Sequence, residues 1–544
     1  MPGPHPATHR APAGGPARSA YTPAVSLFKA ASTVSLLTLS SRITGLVRDV
    51  LFSSVFGVSA LTDAFNVAFR IPNLFRRVLG EGAFAQAFVP VLAATRTERG
   101  DAGAKELVDH VGTLLTWTLV LLCVVGVVAA PAMVWAMASG LTKSGGFDAS
   151  VVMTRWMFPY IGFMSLVAFA GGILNTWKQF AVPAASPVLL NVALISSIVV
   201  GAPLFRRWGI EPIYAQCVGV MVGGLLQLAI QLPALRRLGM VPRIGVRLAA
   251  LRQAWNDPTT RKITKLMVPA LIGVSGAQLS LLINTQIASH LATGSVTWLN
   301  MADRLMEFPS AMLGVALGVV LMPQLAAARA AQDQARYSAM LDWGLRLIVL
   351  LTVPCALALL VFPLPLVAVL FHNGAVSALD VQRTTTALMG YGTGLLGIVS
   401  IKVLAAGFYA RHDMKTPMRV SLATLALTQV LNIAFVPFFQ HAGLTLSIGL
   451  AQLVNALALV VLLRRTGGFQ PAPGWWRFIA QVAAATAVMG VLLAWGVHRI
   501  DWIALRDARL LRAALLAAFI GGAALLYFGV LALTGVKLRS LVRR

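Results

Sequence analysis

Four arginines lie inside long apolar stretches of the chain, where a membrane-spanning helix would place them in lipid. Arg42 and Arg48 lie in the first stretch, Arg76 in the second and Arg304 in a later one. A charge at the bilayer centre is costly unless it faces a cavity or a partner. Because one guanidinium group binds two phosphate oxygens at once, these arginines indicate an anionic ligand in a closed cavity. For the isolated cation Lys402, contact with the membrane interface or a backbone carbonyl is favoured over contact with a substrate.

Acidic residues that could pair with these arginines are few. Those in or beside the apolar stretches are Asp49, Asp63, Glu81, Asp303 and Glu307. Arg304 and Glu307 stand at positions i and i+3, which is within pairing distance on a helix. The alternative is structural, with ion pairs that only lock helices together, and for Asp49, Glu81 and Asp303 both interpretations stay open. The four arginines nevertheless carry more positive charge than one or two nearby acids could neutralise.

The second apolar stretch is interrupted. Pro72 removes a backbone hydrogen bond from a helix, and Gly80 and Gly82 weaken that helix further. Interrupted helices are tolerated at membrane depth where they line a cavity. We therefore expect Asp63 and Arg76 to face such a cavity.

The sequence contains no pattern typical of an enzyme. It has no Gly-Lys pair, which excludes an ATPase phosphate-binding loop. No stretch carries the Asp-rich magnesium site of a prenyl-diphosphate enzyme, and no two histidines share the spacing of a zinc peptidase. The 3 cysteines lie singly in apolar runs, where small buried side chains are favoured over metal ligands. We therefore expect no metal, no cofactor and no catalytic residue.

The composition requires most of the surface to face lipid. The chain has 544 residues, of which 58% are hydrophobic and only 11% are charged, whereas a soluble domain carries roughly 25% charged residues. About fourteen stretches have the length and apolar character of a spanning helix. They lie near 26–56, 60–94, 110–138, 153–176, 180–204, 210–235, 263–291, 298–327, 341–371, 380–409, 416–439, 442–463, 477–497 and 511–535. The predicted fold class is an all-α polytopic membrane protein.

Basic residues predict the orientation of the chain. The 44 Lys and Arg residues outnumber the 18 Asp and Glu residues, for a net charge of +26. With the N-terminus inside the cell, the even-numbered connections carry most of the basic residues, so that both termini are expected to be cytoplasmic. This distribution accounts for most of the charge without nucleic acid. The basic residues in the odd-numbered connections are Lys143, Arg206, Arg207, Arg499, Arg506, Arg509 and Arg512.

The chain repeats itself weakly, which predicts two lobes. Pro90 and Pro323 lie in similar short segments 233 residues apart (323 − 90), and Asn191 and Asn432 are 241 residues apart (432 − 191). An even number of spans per repeat makes the lobes parallel; chance similarity in an Ala- and Leu-rich chain is the alternative. The predicted units are a disordered cytoplasmic tail (1–24), a first six-helix lobe (25–240), a cytoplasmic interlobe loop (241–262), a second six-helix lobe (263–467), two further helices (468–536) and a basic tail (537–544).

Several motifs join charged residues to Gly and Pro at fixed places. They are Ser41-Arg-Ile-Thr-Gly-Leu-Val-Arg-Asp49, Thr62-Asp-Ala-Phe65, Pro72-Asn-Leu-Phe-Arg-Arg77, Gly80-Glu-Gly-Ala-Phe84, Ala302-Asp-Arg-Leu-Met-Glu-Phe-Pro309, Gly407-Phe-Tyr409 and Lys415-Thr-Pro417. With them the chain resembles, from about Ser26 to its C-terminus, the MurJ/MviN lipid II flippases of the multidrug/oligosaccharidyl-lipid/polysaccharide exporter superfamily. The resemblance implies fourteen helices, two six-helix lobes in a V around a central cationic cavity, and a groove for a polyprenyl tail beside the last two helices.

The resemblance also implies a ligand and roles for the charged residues. The essential cavity arginines of the family correspond to Arg42, Arg48, Arg76 and Arg304. Supporting ion pairs or a gate would involve Asp49, Asp63, Glu81, Asp303, Glu307 and Lys402. The ligand would be the pyrophosphate and sugar-peptide headgroup of lipid II, carried across the bacterial inner membrane by alternating access. Membrane lipids and cell-wall synthesis proteins are the further expected partners, and the protein is expected to be a monomer.

Three other functions stay in consideration. A cation-coupled exporter of small molecules from the same superfamily would favour acids and aromatics in its cavity, which the excess of buried arginine opposes. A non-transporting lipid-binding scaffold for cell-wall assembly is the second alternative. A membrane transferase is the third, and the missing metal site disfavours it. The seventh stretch (263–291) contains no acidic residue, so the sequence does not support a sodium site built on an acid there.

Overall fold

The computed structural model describes the backbone of residues 24–76 and 84–536, with their side chains except those of 24–32, 268–277 and 312–320. The predicted tails (1–24 and 537–544) therefore lie outside the described residues, apart from residue 24 itself. Glu81 lies outside them too. All regular secondary structure within the described ranges is helical, which confirms the predicted all-α fold class.

The first helix group precedes the predicted interlobe loop. Its helices are α1 (Ala24–Phe56), α2 (Ala60–Phe75), α3 (Ala85–Val128), α4 (Ala130–Ala138), α5 (Leu141–Ser144), α6 (Phe147–Met157), α7 (Tyr160–Thr176), α8 (Ala181–Ser196), α9 (Ala202–Arg207), α10 (Tyr214–Ala229) and α11 (Leu232–Arg237). A short π-helix, Ser197–Gly201, joins α8 to α9. Within this group α1 packs against α8, α2 against α6, α3 against α7 and α8 against α10.

The second helix group follows the short interlobe helix α12 (Leu248–Asn256). Its helices are α13 (Pro258–Ser289), α14 (Ser295–Ala330), α15 (Gln334–Val361), α16 (Pro363–Phe371), α17 (Ala378–Ala410), α18 (Lys415–Phe439) and α19 (His441–Arg465). The final pair is α20 (Trp475–Arg499) and α21 (Arg509–Leu533). α17 is central, since it packs against α14, α15 and α19, while α20 and α21 pack against α15 and α16.

Within the described ranges, ten helical segments are long and apolar enough to cross a bilayer. They coincide with the third to sixth and the ninth to fourteenth predicted stretches. The remaining predicted stretches correspond to α1, to α2 with the start of α3, to α13 and to α14. α1, α13 and α14 each contain residues whose side chains lie outside the described part of the chain, and α2, with 16 residues, is shorter than a spanning helix. The count of fourteen spans therefore stays a prediction.

Local sequence explains where the helices around the charged residues begin and bend. Ser59 caps α2, because its hydroxyl accepts from the backbone of Thr62 while the Thr62 hydroxyl accepts from the backbone of Ser59. Pro72 lies within α2, which ends shortly after it. Gly100 interrupts α3 with φ 68° and ψ −169°, a conformation that favours glycine, so that α3 is two helices joined at a bend.

Glycines bring α17 and α19 into close contact. A β-carbon on Gly394 would lie 2.2 Å from the Cα of Gly449, and one on Gly397 would lie 2.5 Å from the carbonyl oxygen of Gln452. Such small residues let helix backbones approach closely in lipid, where van der Waals packing drives helix association.

We predict that Gly394→Ala destabilises the protein by about 1–3 kcal/mol, because the added methyl group overpacks the α17–α19 contact. Thermal unfolding of the purified protein in detergent measures this. Gly521→Ala is the matched control, since no atom lies within 4 Å of the added methyl group in α21. Equal unfolding temperatures for the two variants would contradict the prediction.

Candidate functional site

One carboxylate pairs with arginines from both helix groups. Oδ1 of Asp49 accepts from Nε of Arg48 at 2.9 Å and from Nη2 of Arg48 at 2.6 Å. Oδ2 of Asp49 forms an ion pair with Nε of Arg304. Arg304 also donates from Nη1 to Glu307 at 2.9 Å, the pairing that their spacing on α14 predicts. α1 and α14 therefore present their charges to each other at one point.

A polar chamber of about 640 Å³ opens on one side of this pairing. We call it the first chamber. The charged side chains that line it are Arg42, Arg48, Arg304 and Glu307, from α1 and α14. The amides of Asn175 and Asn191 complete its polar wall. Arg42 and Arg48 are separated by about 120° around an ideal helix, so only a wide cavity brings both to one chamber.

A second chamber of about 430 Å³ adjoins the first and shares Arg48, Arg304 and Glu307 with it. The charged residues found only in the second chamber's lining are Asp49, Arg70, Arg76 and Asp303. Arg70 donates from Nη1 to the hydroxyl of Thr285 at 2.8 Å, and Arg76 donates from Nε to Asn73 at 3.2 Å. Asp303 is hydrogen-bonded to Tyr391.

The two chambers together are rich in positive charge. Their described linings hold five arginines (42, 48, 70, 76 and 304) and three carboxylates (49, 303 and 307). Lys402 lies close to Arg42 and Glu307, and its Nζ donates to the backbone carbonyl of Ser310 at 2.9 Å. Among the described residues no group of His, Cys, Asp and Glu is placed to hold a metal ion. The arrangement suits an anion that accepts hydrogen bonds from several guanidinium groups.

Asp63 is absent from the linings of both chambers, contrary to the expectation that it faces a cavity, although it lies within electrostatic range of Arg70. It is 4% exposed and accepts from the backbone N–H of Gly294 at 2.6 Å. It also accepts from the backbone N–H and the hydroxyl of Thr297, at 2.9 Å and 2.6 Å. Gly294, with φ 98°, precedes α14. Asp63 on α2 therefore caps the start of a helix in the other group, where a negative charge is favourable.

Other contacts join the two groups at the same end of the molecule, which the charge distribution predicts to be the outer face. Asn66 donates to the hydroxyl of Thr297 at 3.0 Å, next to Asp63. Ser139 and Gln286 bond through two contacts of 2.8 Å and 2.6 Å, and Ala375 donates its N–H to the carbonyl of Ser54 at 2.7 Å. We call this set of contacts the seam. Thr297 precedes Arg304 by about 10 Å of helix, so the seam lies at the edge of the second chamber, whose lining includes Asn66.

An apolar groove of about 550 Å³ lies on the other side of α1 and α14. It is lined by Leu46 of α1, by Leu305, Phe308 and Pro309 of α14, and by apolar residues of α15, α16, α20 and α21. Polar atoms are almost absent from its wall. Because Arg304 and Leu305 are neighbours on α14, the chambers and the groove share one helix as their partition.

Sequence reasoning missed Arg70 and the role of Asn191. Arg70 lies six positions before Arg76, the same spacing as that between Arg42 and Arg48, and this regularity was the available signal. Asn191 was noticed only as part of the repeat. Its contact with Arg48 joins positions 143 residues apart in sequence, which no local pattern contains.

Comparison with known proteins places these features in a family. The family model described as lipid II flippase MurJ matches residues 52–509. The chain belongs to the lipid II flippase MurJ family. A lipid II flippase MurJ from Burkholderia cenocepacia is 50% identical over 522 residues, which cover 96% of this chain and all of the relative. A probable lipid II flippase MurJ from Vibrio cholerae is 34% identical, covering 95% of this chain and 97% of the relative.

Solved structures show the same fold. A lipid II flippase MurJ in an inward closed conformation matches with a TM-score of 0.74 at 20% identity, covering 94% of this chain and 99% of that chain. An inward-facing multidrug resistance MATE family transporter of the MOP superfamily matches with a TM-score of 0.62 at 13% identity, covering 79% of this chain and 98% of that chain. The fold of this chain is thus shared with that MATE family transporter.

We predict that Asp63→Ala loosens the seam, because three donors lose a buried carboxylate acceptor worth about 1.5–3 kcal/mol per hydrogen bond. Val296, which is 1% exposed beside the seam, is replaced by cysteine in a background without the native cysteines. Labelling of that cysteine by a membrane-impermeant maleimide should rise several-fold in Asp63→Ala. The exposed Asp148→Ala is the control, and equal labelling in both variants would refute the role of Asp63.

Proposed function

We propose that this protein carries lipid II from the inner to the outer leaflet of the bacterial inner membrane by alternating access. The observation that carries the proposal is the chamber pair with five arginines and three carboxylates, set beside an apolar groove across α1 and α14. Membership of the MurJ family names the substrate. The headgroup of lipid II is too polar to cross hydrocarbon without such a cavity.

The arginines bind the pyrophosphate. Arg42, Arg48, Arg76 and Arg304 are the proposed ligands, and we include Arg70 with them because it lines the second chamber. A guanidinium group offers two parallel N–H donors to phosphate oxygens, and its interaction is strengthened where water is scarce. The chamber walls supply several guanidinium groups around one space. Such an arrangement suits a multiply charged diphosphate better than an anion of a single charge.

The carboxylates limit the cost of the empty state. Asp49 pairs with Arg48 and Arg304, and Glu307 pairs with Arg304. Unpaired buried charges are strongly unfavourable, so these pairs hold the arginines until a ligand replaces the carboxylate contacts. Asp303, beside Tyr391, and Lys402, on the carbonyl of Ser310, support the same wall. Glu81 and Asp63 are assigned to gating.

The polyprenyl tail occupies the apolar groove. α20 and α21 lie in the proposed tail-binding unit (468–536), and they line the groove together with α15 and α16. A tail there remains in an apolar environment while the headgroup stays among the arginines. The proposed lobes (25–240 and 263–467) supply the two walls of the chambers, with α12 in the interlobe loop (241–262).

The seam supports the proposal of alternating access. The two helix groups are joined at the predicted outer face through Asp63, Asn66 and Ser139. Opening toward the outer leaflet requires these contacts to break. If the positive charges of the chambers move across the membrane during this cycle, the cycle also depends on membrane potential, at about 2.3 kcal/mol per charge per 100 mV.

The proposal also covers the orientation of the chain in the membrane, its oligomeric state and its partners. The basic residues of the even-numbered connections support a cytoplasmic location for both termini. The protein acts as a monomer among membrane lipids, with cell-wall synthesis proteins as partners that supply or consume lipid II. A drug exporter is disfavoured because the chambers carry an excess of arginine, and a scaffold without transport is an outcome of the experiment below.

We predict that Arg48→Ala and Arg304→Ala each abolish lipid II exposure at the outer leaflet, because each removes a phosphate-binding group from both chambers. The measurement is made in cells depleted of the native protein, with a lipid II-cleaving enzyme added from outside. Arg206→Ala is the control, since Arg206 is exposed in a predicted outer connection. Membrane abundance is measured for all three variants.

Two outcomes would refute this proposal. Wild-type exposure in both cavity variants would show that the chambers do not bind the headgroup. An unchanged leaflet distribution of lipid II on depletion of the protein itself would favour the scaffold.

We predict that Ala524→Phe weakens binding of full-length lipid II several-fold, because the ring fills the groove beside α21. Binding of a lipid II analogue with a short prenyl chain should be unchanged. The control is Leu525→Phe, whose side chain is 78% exposed outside the groove. Titration of both ligands against the protein in nanodiscs measures the effect, and equal weakening for the two ligands would contradict tail binding in the groove.

A further inference from the structure

Asn191 lies where α8 meets the arginine-bearing segment of α1. Its side chain is 6% exposed and lines the first chamber. Oδ1 accepts from Nη1 of Arg48 at 3.0 Å. Nδ2 donates to the carbonyl of Ser41 at 2.9 Å and to the hydroxyl of Thr44 at 3.2 Å. One amide therefore joins the backbone of α1 to an arginine about two turns further along the same helix.

The orientation of this amide is fixed by its partners. The carbonyl of Ser41 can only accept a hydrogen bond. The hydroxyl of Thr44 donates to the carbonyl of Ser40 at 2.9 Å, which leaves its oxygen to accept from Asn191. Nδ2 of Asn191 must therefore face α1, and Oδ1 must face Arg48. A flipped amide would lose both donor contacts and would set an N–H group against a cation.

Asn191 restricts how Arg48 is presented to the chamber. A guanidinium group has five N–H bonds. In Arg48, Nε and Nη2 donate to Asp49, and Nη1 donates to Asn191. Two N–H bonds remain without a partner among the described residues. Without Asn191, only the adjacent residue Asp49 would hold the guanidinium group, and its terminal nitrogens could turn away from the chamber.

The second helix group contains the equivalent contact without the cation. Asn432 on α18 donates from Nδ2 to Oδ1 of Asn284 on α13 at 3.0 Å. Asn284 follows Arg48 by 236 residues (284 − 48), and Asn432 follows Asn191 by 241 (432 − 191). Both separations fit the internal repeat. The repeat thus contains an interhelical amide contact in both groups, and among the described residues the first group alone combines it with an arginine.

We propose that Asn191 is a positioning residue for lipid II, which orients Arg48 so that its two remaining N–H bonds face the chamber and bind the diphosphate. The proposal rests on the proposed function, since it takes Arg48 as a ligand of the headgroup. Asn191 acts through Arg48 and needs no contact of its own with the lipid.

The test is a double-mutant cycle on lipid II affinity, measured by titration into the full-length protein in nanodiscs. Asn191→Leu should weaken binding about tenfold or more. In the Arg48→Ala background the same substitution should cause no further loss, because there is no guanidinium group left to orient. A purely structural role would instead add its effect in both backgrounds. Asn432→Leu is the matched control and should leave lipid II affinity unchanged.

A second variant keeps the test decisive if Asn191→Leu does not fold. Thr44→Val removes one amide partner without touching Arg48, and it should weaken lipid II binding severalfold in wild type but not in Arg48→Ala. Unchanged affinity in Asn191→Leu, or in Thr44→Val where only that variant folds, would overturn this inference, as would an equal loss in both backgrounds. Unchanged affinity in Arg48→Ala itself would overturn the proposed role of Arg48, and with it the proposed function of the chamber.

Discussion

The pairing of Asp49 with Arg48 and Arg304 is the interaction on which the rest of the site depends. A guanidinium group within a membrane protein must have a partner, because hydrocarbon cannot solvate it. Here one carboxylate serves two arginines that belong to different helix groups. The chambers therefore hold more arginines than carboxylates. This uncompensated positive charge destabilises the empty chambers and favours binding of an anion.

The helical geometry of α14 separates polar from apolar surface. Arg304 and Glu307 are three positions apart and face the chambers, while Leu305 and Phe308 are three positions apart and face the groove. The two stripes are offset by one residue, which is about 100° around a helix. α1 follows the same rule, with Arg48 toward the chambers and Leu46 toward the groove. An amphiphile with a charged head and an apolar tail fits the two sides of this partition.

Local patterns predicted much of the fold and only part of the site. Apolar stretches of spanning length mark most of the helices, and the spacing of Arg304 and Glu307 gives their contact, because both depend on residues close in sequence. Asp63 could not be placed in this way. Its partners Gly294 and Thr297 are more than 200 positions away, and a buried acid that caps a distant helix has the same local signature as one that faces a cavity. The partner of Asp49 on α14 was hidden for the same reason.

The chamber arginines are distributed unequally between the two helix groups. Four of the five chamber arginines lie between residues 42 and 76, in the first helix group, and Arg304 comes from the second. The ion pair of Arg304 with Asp49 therefore neutralises charge and also ties the two groups together. In the proposed function, a diphosphate that binds Arg304 would compete with Asp49 for it. Since a ligand shifts an equilibrium only through its different affinity for the two states, this competition is a direct way for headgroup binding to change how firmly the groups are joined. In the proposed function, the seam at the start of α14, about 10 Å from Arg304, would oppose opening of the outer face.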